Sequence, residues 1–145
     1  MSLRIKFKII TPEKTVYENE VDQVTLPVTD GQVTILPNHR SYIASLKAGE
    51  IMLRVGEEEI HMAVAGGFVE LDKNNLIVLA DRAERAEDID LQRAEAARIK
   101  AEDLKNQKID MSEEEFVRVA SLVEKEMNRV KVAKRHRTRG GMKID

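Results

Sequence analysis

Cysteine and tryptophan are both absent from the 145 residues. Without cysteine there is neither a disulfide framework nor a thiolate metal site, and a reducing compartment suits the chain. Aromatic residues make up only 3%, too few to interleave with basic groups as base-stacking platforms. No apolar run approaches the roughly 20 residues of a membrane-spanning helix. The N-terminus alternates Lys and Arg with apolar residues where a secretory signal would carry an apolar block. Any association with a membrane is therefore expected to go through a partner, with no direct insertion. Catalytic signatures are missing as well: there is no P-loop, no HExxH and no Ser nucleophile in a recognisable turn. His39, His61 and His136 lie far apart along the chain, so the expectation is a protein without catalytic residues and without a metal site.

What is present fits one ordinary core, or one small core and an appendage. Hydrophobic residues make up 42% and charged residues 34%. Leu3, Ile5, Phe7 and Ile9 alternate with basic residues, the period of two that gives a strand one apolar face. Val24, Leu26 and Val28 alternate likewise and lead into Asp30-Gly31, a tight-turn signal because glycine accepts positive φ. Further short apolar runs follow at Ile43–Leu46, Ile51–Val55, Ile60–Val64 and Phe68–Leu71, with Gly66-Gly67 as an interruption. Leu76–Ala80 reads as a buried strand bounded by Asp81. Many short strands with Gly or Pro punctuation predict a β-sandwich or flattened all-β barrel. It should end near Ala80 to Arg85.

After Asp90 the period changes from two to three and four. Leu91, Ala94, Ala97, Ala101 and Leu104 form one stripe of an amphipathic helix that Asp90 can cap, with a flat alanine face for another helix. Lys105–Asp110 is the expected connection. Ser112-Glu113-Glu114-Glu115 matches a capping box, and Met111 and Phe116 stand where a hydrophobic staple puts them. The second stripe is expected at Phe116, Val119, Val123, Met127 and Val130, with Gly140-Gly141 as the stop. Two helices joined by a short connection predict an antiparallel hairpin. The domain assignment is thus 1–87 for the sandwich and 88–145 for the hairpin with its basic tail. From Arg129 to Lys143 there are seven Lys or Arg residues and no acid.

Read together, these segments resemble a known family. A β-sandwich followed by Val78-Leu-Ala-Asp-Arg-Ala-Glu-Arg-Ala-Glu-Asp-Ile-Asp90 and an alanine-rich helical hairpin is similar to the epsilon subunit of the bacterial F-type ATP synthase. Supporting stretches are Thr11-Pro12-Glu13, Asp30-Gly31-Gln32 through Pro37-Asn38-His39, and Val64-Ala65-Gly66-Gly67-Phe68-Val69-Glu70. Thr34 stands where the family usually has glycine, and Arg40-Ser41 replaces its Ala-Pro.

The resemblance implies a central-stalk rotor subunit that couples proton translocation to ATP synthesis and has no chemistry of its own. It would sit peripherally at the cytoplasmic face of the bacterial inner membrane. The sandwich would grip the gamma subunit and rest on the c-ring loops, with Thr29, Asp30, Gly31 and Gln32 facing the c-ring and His39 near gamma. The hairpin would inhibit ATP hydrolysis when extended into the alpha/beta catalytic head, presenting Arg129, Lys131, Lys134 and Arg135 as a basic face. Ile89, Asp90, Arg93 and Ala94 are similar to the motif by which some bacterial members bind ATP, with Glu84 as a further participant. Lys100 stands where those members have Arg. No cofactor is required on this reading, and ATP is a regulatory ligand. Two other classes compete: a free-standing nucleotide sensor, and a nucleic-acid-binding protein using the tail from Lys131 to Arg139, which lacks a stacking aromatic and a reader fold upstream.

Overall fold

The structure is a computed structural model; it describes residues 3–107 and 111–142, with the backbone alone at 138–142. The chain divides into two compact units, Met1–Arg85 and Ala86–Asp145.

The first unit is built entirely of strands: β1 (Ile5–Ile10), β2 (Thr15–Val21), β3 (Gln23–Val28), β4 (Gly31–Ile35), β5 (Tyr42–Leu46), β6 (Gly49–Val55), β7 (Glu58–Asp72) and β8 (Asn75–Arg85). Strands run in the order β2-β1-β8-β7-β5-β3-β4, and β6 pairs with both β3 and β7, so the sheet folds over on itself into a flattened sandwich. All pairs are antiparallel except β1 with β8, where the first strand enters beside the last. The alternation of β1 is realised: Ile5, Phe7 and Ile9 are buried and join Val24, Leu26, Ile51, Leu53, Met62, Val69 and Leu76 in one core. Each such side chain contributes about 1.5–3 kcal/mol on burial. Leu3 precedes the strand and is exposed.

Two stretches differ from the expectation. Ile60–Val64 and Phe68–Leu71 are parts of one strand, the 15-residue β7. Its register against β8 is the same on both sides of Gly66-Gly67, because both glycines adopt positive φ, 64° and 123°, and let the backbone kink without losing its partner. A Cβ on Gly67 would stand 2.0 Å from the Leu79 carbonyl oxygen, so only glycine fits there. Strand β8 likewise continues past Asp81 to Arg85, since β7 offers it a partner as far as Met62. The turn between them, Lys73-Asn74, has positive φ at both central residues, which matches the right-handed twist of the flanking strands.

The second unit holds a single 3-10 turn at Ala86–Asp88, α1 (Leu91–Asn106) and α2 (Glu113–Met142). The Asp90 carboxylate caps α1 by accepting from the Arg93 amide at 3.2 Å, and the Ser112 hydroxyl accepts from the Glu115 amide at 3.2 Å to start α2. In α1 the expected stripe is buried at Ala94 and Ala101, whereas Leu104 is exposed. In α2 the buried positions are Val123, Glu126, Val130, Val132 and Ala133, while Phe116 and Met127 are about half exposed. The backbone of α2 runs through Gly140-Gly141 to Met142; each glycine costs roughly 1 kcal/mol in a helix, and no proline follows to end it. Lys108, Ile109 and Asp110, at the expected connection, lie outside the described residues.

One polar contact joins three segments of the sandwich. Asp22 accepts from the Gly56 amide at 2.6 Å and from Arg4 Nε at 3.1 Å. The Gly56 hydrogen bond first, and the Arg4 charge after it, hold the Asp22 carboxyl below its ordinary value. A carboxylate depressed on folding stabilises the protein fully above its unfolded-state value and loses that contribution as pH falls below that value and through the lower folded-state one. Asp22→Asn should therefore lower the urea midpoint at neutral pH, with the gap to the parent closing below about pH 4. An undiminished gap under acid would mean that the carboxylate charge is not what stabilises this corner.

Candidate functional site

Two apolar faces emerge from the strand geometry. Side chains alternate across a sheet, so in β5, β7 and β8 the residues Leu46, Val69, Leu71, Leu76 and Val78 point into the core. Their neighbours Ile43, Phe68 and Leu79 point the other way and are 75%, 60% and 52% exposed. Phe68 lies directly opposite Leu79 on β8 and Ser45 on β5, with Ile43 opposite Glu70 two residues further along. Cross-strand neighbours at these spacings are within reach of one another. Beside them Pro12, Phe68, Leu79 and Asp81 border a shallow depression of about 500 Å³. Three large exposed apolar side chains on adjacent strands mark an interaction surface, because isolated ones are ordinary and clustered ones are not.

Sequence reasoning missed this surface, although the signal was present. Leu76–Ala80 is an unbroken apolar run, and such a run is apolar on both faces of its strand. The run is expected to be buried throughout, whereas Leu79, on the outward face of β8, is 52% exposed.

The residues expected to meet the rotor lie at two ends of one strand. Thr29 and Asp30 form the two-residue turn between β3 and β4, with Gly31 and Gln32 opening β4 opposite Val28 and Pro27. Thr29 donates its amide to the Ser45 carbonyl at 3.2 Å, which places the turn at the far end of β5. His39 follows the other end of β4. There its ring meets Tyr42 edge-on at 6.0 Å between centroids, and the adjacent Asn38 amide donates to Asn74 Oδ1 at 2.7 Å. The five residues of β4 span about 17 Å at strand rise, with Thr29 to Gln32 at its start and His39 beyond its end, so the two groups lie at separate places.

The residues of the nucleotide motif fall in different units. Glu84 is on β8, opposite Ala63, whereas Ile89, Asp90, Arg93 and Ala94 lie at the start of α1. Ile89 and Ala94 are buried and seat the helix. Asp90 and Arg93 reach solvent: the Arg93 side chain is 88% exposed, with its Nε 4.0 Å from Asp90 Oδ2. A helix N-terminus with an extended guanidinium beside it suits an anionic ligand.

The four basic residues of α2 do not share one face. At about 100° per residue, Arg129 falls between the buried Val132 and Ala133, Lys134 lies at the edge of the buried side beside Val123 and Val130, and Lys131 and Arg135 lie on the opposite side. Arg129 donates to Glu126 at 2.8 Å. Lys134 contacts Glu95 of α1 at 3.0 Å, and that hydrogen bond, with the Lys134 charge, holds the Glu95 carboxyl below its ordinary value.

His61 lies on β7 and is buried, with Nδ1 hydrogen-bonded to Glu50 of β6 and Nε2 3.7 Å from Glu59. Glu50 and Glu59 thus stand beside the two ring nitrogens. Among the described residues no cluster of His, Asp and Glu has the spacing to hold a metal ion.

Comparison with known proteins agrees with the fold and extends it. The family model for the ATP synthase, Delta/Epsilon chain, beta-sandwich domain matches residues 4–86. The ATP synthase epsilon chain of Desulforamulus reducens is 41% identical over 128 residues, covering 88% of this chain and 96% of that one. Among solved structures, a chain of the Euglena gracilis mitochondrial ATP synthase OSCP/F1/c-ring assembly has a TM-score of 0.72 at 16% identity, covering 86% of this chain and 78% of that one. A chain of the Tetrahymena thermophila mitochondrial ATP synthase central stalk and c-ring has a TM-score of 0.62 at 15% identity, covering 91% and 98%. With its sandwich matched by the family model and 88% of its length matched by a relative 41% identical, the chain belongs to the ATP synthase epsilon-chain family.

Proposed function

We propose that the chain is a rotor subunit that docks through its sandwich and regulates ATP hydrolysis through its helical hairpin. The observation that carries the reading is the division of the chain into an all-strand unit with an exposed apolar face and a separate helical unit. Ile43, Phe68 and Leu79 supply an anchor for the gamma subunit, an apolar surface with an aromatic of the kind that protein interfaces use at their centre. The Thr29–Gln32 turn offers polar backbone and a carboxylate to the c-ring loops, and His39, at the other end of β4, offers a second point toward gamma. The two similar solved chains come from an F1/c-ring and a central stalk/c-ring assembly, which supports this placement. No helix among the described residues is long and apolar enough to cross a membrane, and a peripheral position at the cytoplasmic face, held by partners, fits that fact.

The hairpin is the regulatory element in this reading. Its extended arrangement brings Lys131 and Arg135 toward acidic segments of the alpha/beta head, where complementary charge steers and positions. Cutting the chain after Asp88 removes α1 and α2 and leaves every strand intact. Synthase assembled with the truncated chain should hydrolyse ATP faster than synthase with the intact chain; equal rates would remove the inhibitory role.

A nucleotide gives the hairpin a second control. The exposed Arg93 guanidinium beside the first turn of α1 is the observation behind it. ATP bound there stabilises whichever arrangement it prefers, by its differential affinity alone. Millimolar ATP should raise the melting temperature of the parent, as any ligand of the folded state does, and Arg93→Ala should abolish that rise. A parent whose melting temperature ignores ATP would sink the nucleotide claim.

A further inference from the structure

Every non-glycine residue with positive φ among the described residues lies in one of two neighbouring turns: Asn38 at 66°, Lys73 at 49° and Asn74 at 64°. The two asparagines are bound to each other. Asn74 Oδ1 accepts from the Asn38 amide at 2.7 Å, and Asn74 Nδ2 donates to Asn38 Oδ1 at 3.3 Å. Asn74 is the fixed partner, because its carbonyl accepts from the Lys6 amide at 2.8 Å and its turn closes the ladder of β7 and β8 at Asp72 and Asn75. Asn38 is the one that is held. It belongs to the turn Leu36-Pro37-Asn38-His39, which the His39 amide closes on the Leu36 carbonyl at 3.2 Å. Proline followed by a left-handed residue is the pattern of a type II turn.

The next tie is at Ser41, whose hydroxyl donates to Asp72 Oδ1 at 3.2 Å, so His39 and Arg40 form a short span fixed at both ends. Within it the His39 ring is set by Tyr42, edge-on at 6.0 Å, and by the Arg40 carbonyl, 2.8 Å from Nδ1. A carbonyl only accepts, so Nδ1 carries the proton and donates. That tautomer leaves Nε2 of the neutral ring as an acceptor, and Nε2 makes no hydrogen bond among the described residues. A side chain already held in place loses less freedom on binding than one that must first be ordered.

We propose that Asn74 is a positioning residue: through Asn38 it braces the loop between β4 and β5, so that His39 presents Nε2 to a hydrogen-bond donor of the gamma subunit. The proposal rests on the reading of His39 as a contact toward gamma. Four versions of the full chain test it by their affinity for purified gamma: the parent, Asn74→Gly, His39→Ala and the two changes together. Glycine adopts the same φ, so Asn74→Gly removes the side-chain hydrogen bonds without straining the turn. The Asn38 amide should then exchange its hydrogen at least about tenfold faster. Binding should weaken about fivefold in the parent, the equivalent of one ordinary hydrogen bond, yet less than about twofold where His39 is already alanine, because the brace acts only through the ring. A merely structural loss would weaken both backgrounds alike. That equality, an unchanged Asn38 amide or parental binding by Asn74→Gly overturns the proposal. Asn74→Asp keeps the Oδ1 acceptor and tolerates positive φ, so it should recover most of the affinity; a loss as large as that of glycine also overturns it. If His39→Ala itself binds gamma as the parent does, the reading of His39 as a contact fails and takes the proposal with it, while docking through Ile43, Phe68 and Leu79 stands.

Discussion

The ladder between β7 and β8 is the constraint on which the first unit depends. It runs from Met62 opposite Arg85 to Asp72 opposite Asn75, and β7 at the same time pairs with β5 and β6. Strand β3 also pairs with three others, but its ladders to β5 and β6 are short. The ladder passes Gly66-Gly67 without a register shift, which a side chain at Gly67 would prevent. A one-residue slip would turn Val69 and Leu71 out of the core and Phe68 into it. The same register that builds the core therefore also displays Phe68 and Leu79.

The end of that ladder fixes where the sheet gives way to helix. Beyond Arg85 there is no pairing partner, Ala86–Asp88 makes a single tight turn, and Asp90 caps the next helix. The change from strand to helix takes only a few residues, and it falls where the chain divides into its two units. Within the appendage the helices are tied at the surface by Glu95 and Lys134, while the covered stripe of α2 holds a charge pair of its own.

Much of this could be read from residue order. Alternation located the inward faces of β1 and β3, and Ser112 and Asp90 announced the helix starts through their hydroxyl and carboxylate. Local rules failed where tertiary pairing overrode them. Gly66-Gly67 reads as a break, yet β8 supplies hydrogen bonds on both sides of it. Asp81 reads as a strand end, yet β7 extends β8 to Arg85. Glu126 lies at a stripe position that only its burial distinguishes from the surface acids around it, and the opposite placement of Thr29 and His39 follows from β4 lying between them. The apolar run at Leu76–Ala80 was legible as strand, but nothing local told that Leu79 on its second face is exposed.

The central claim is that the strand unit alone makes the connection to gamma, through Ile43, Phe68 and Leu79. The direct measurement is the affinity of purified gamma for three proteins: the intact chain, residues 1–88, and the intact chain with Phe68→Glu. Equal affinity for the first two and a loss of at least about tenfold for the third would bear out the account. Failure of residues 1–88 to bind, or full binding by the Phe68→Glu chain, would contradict it.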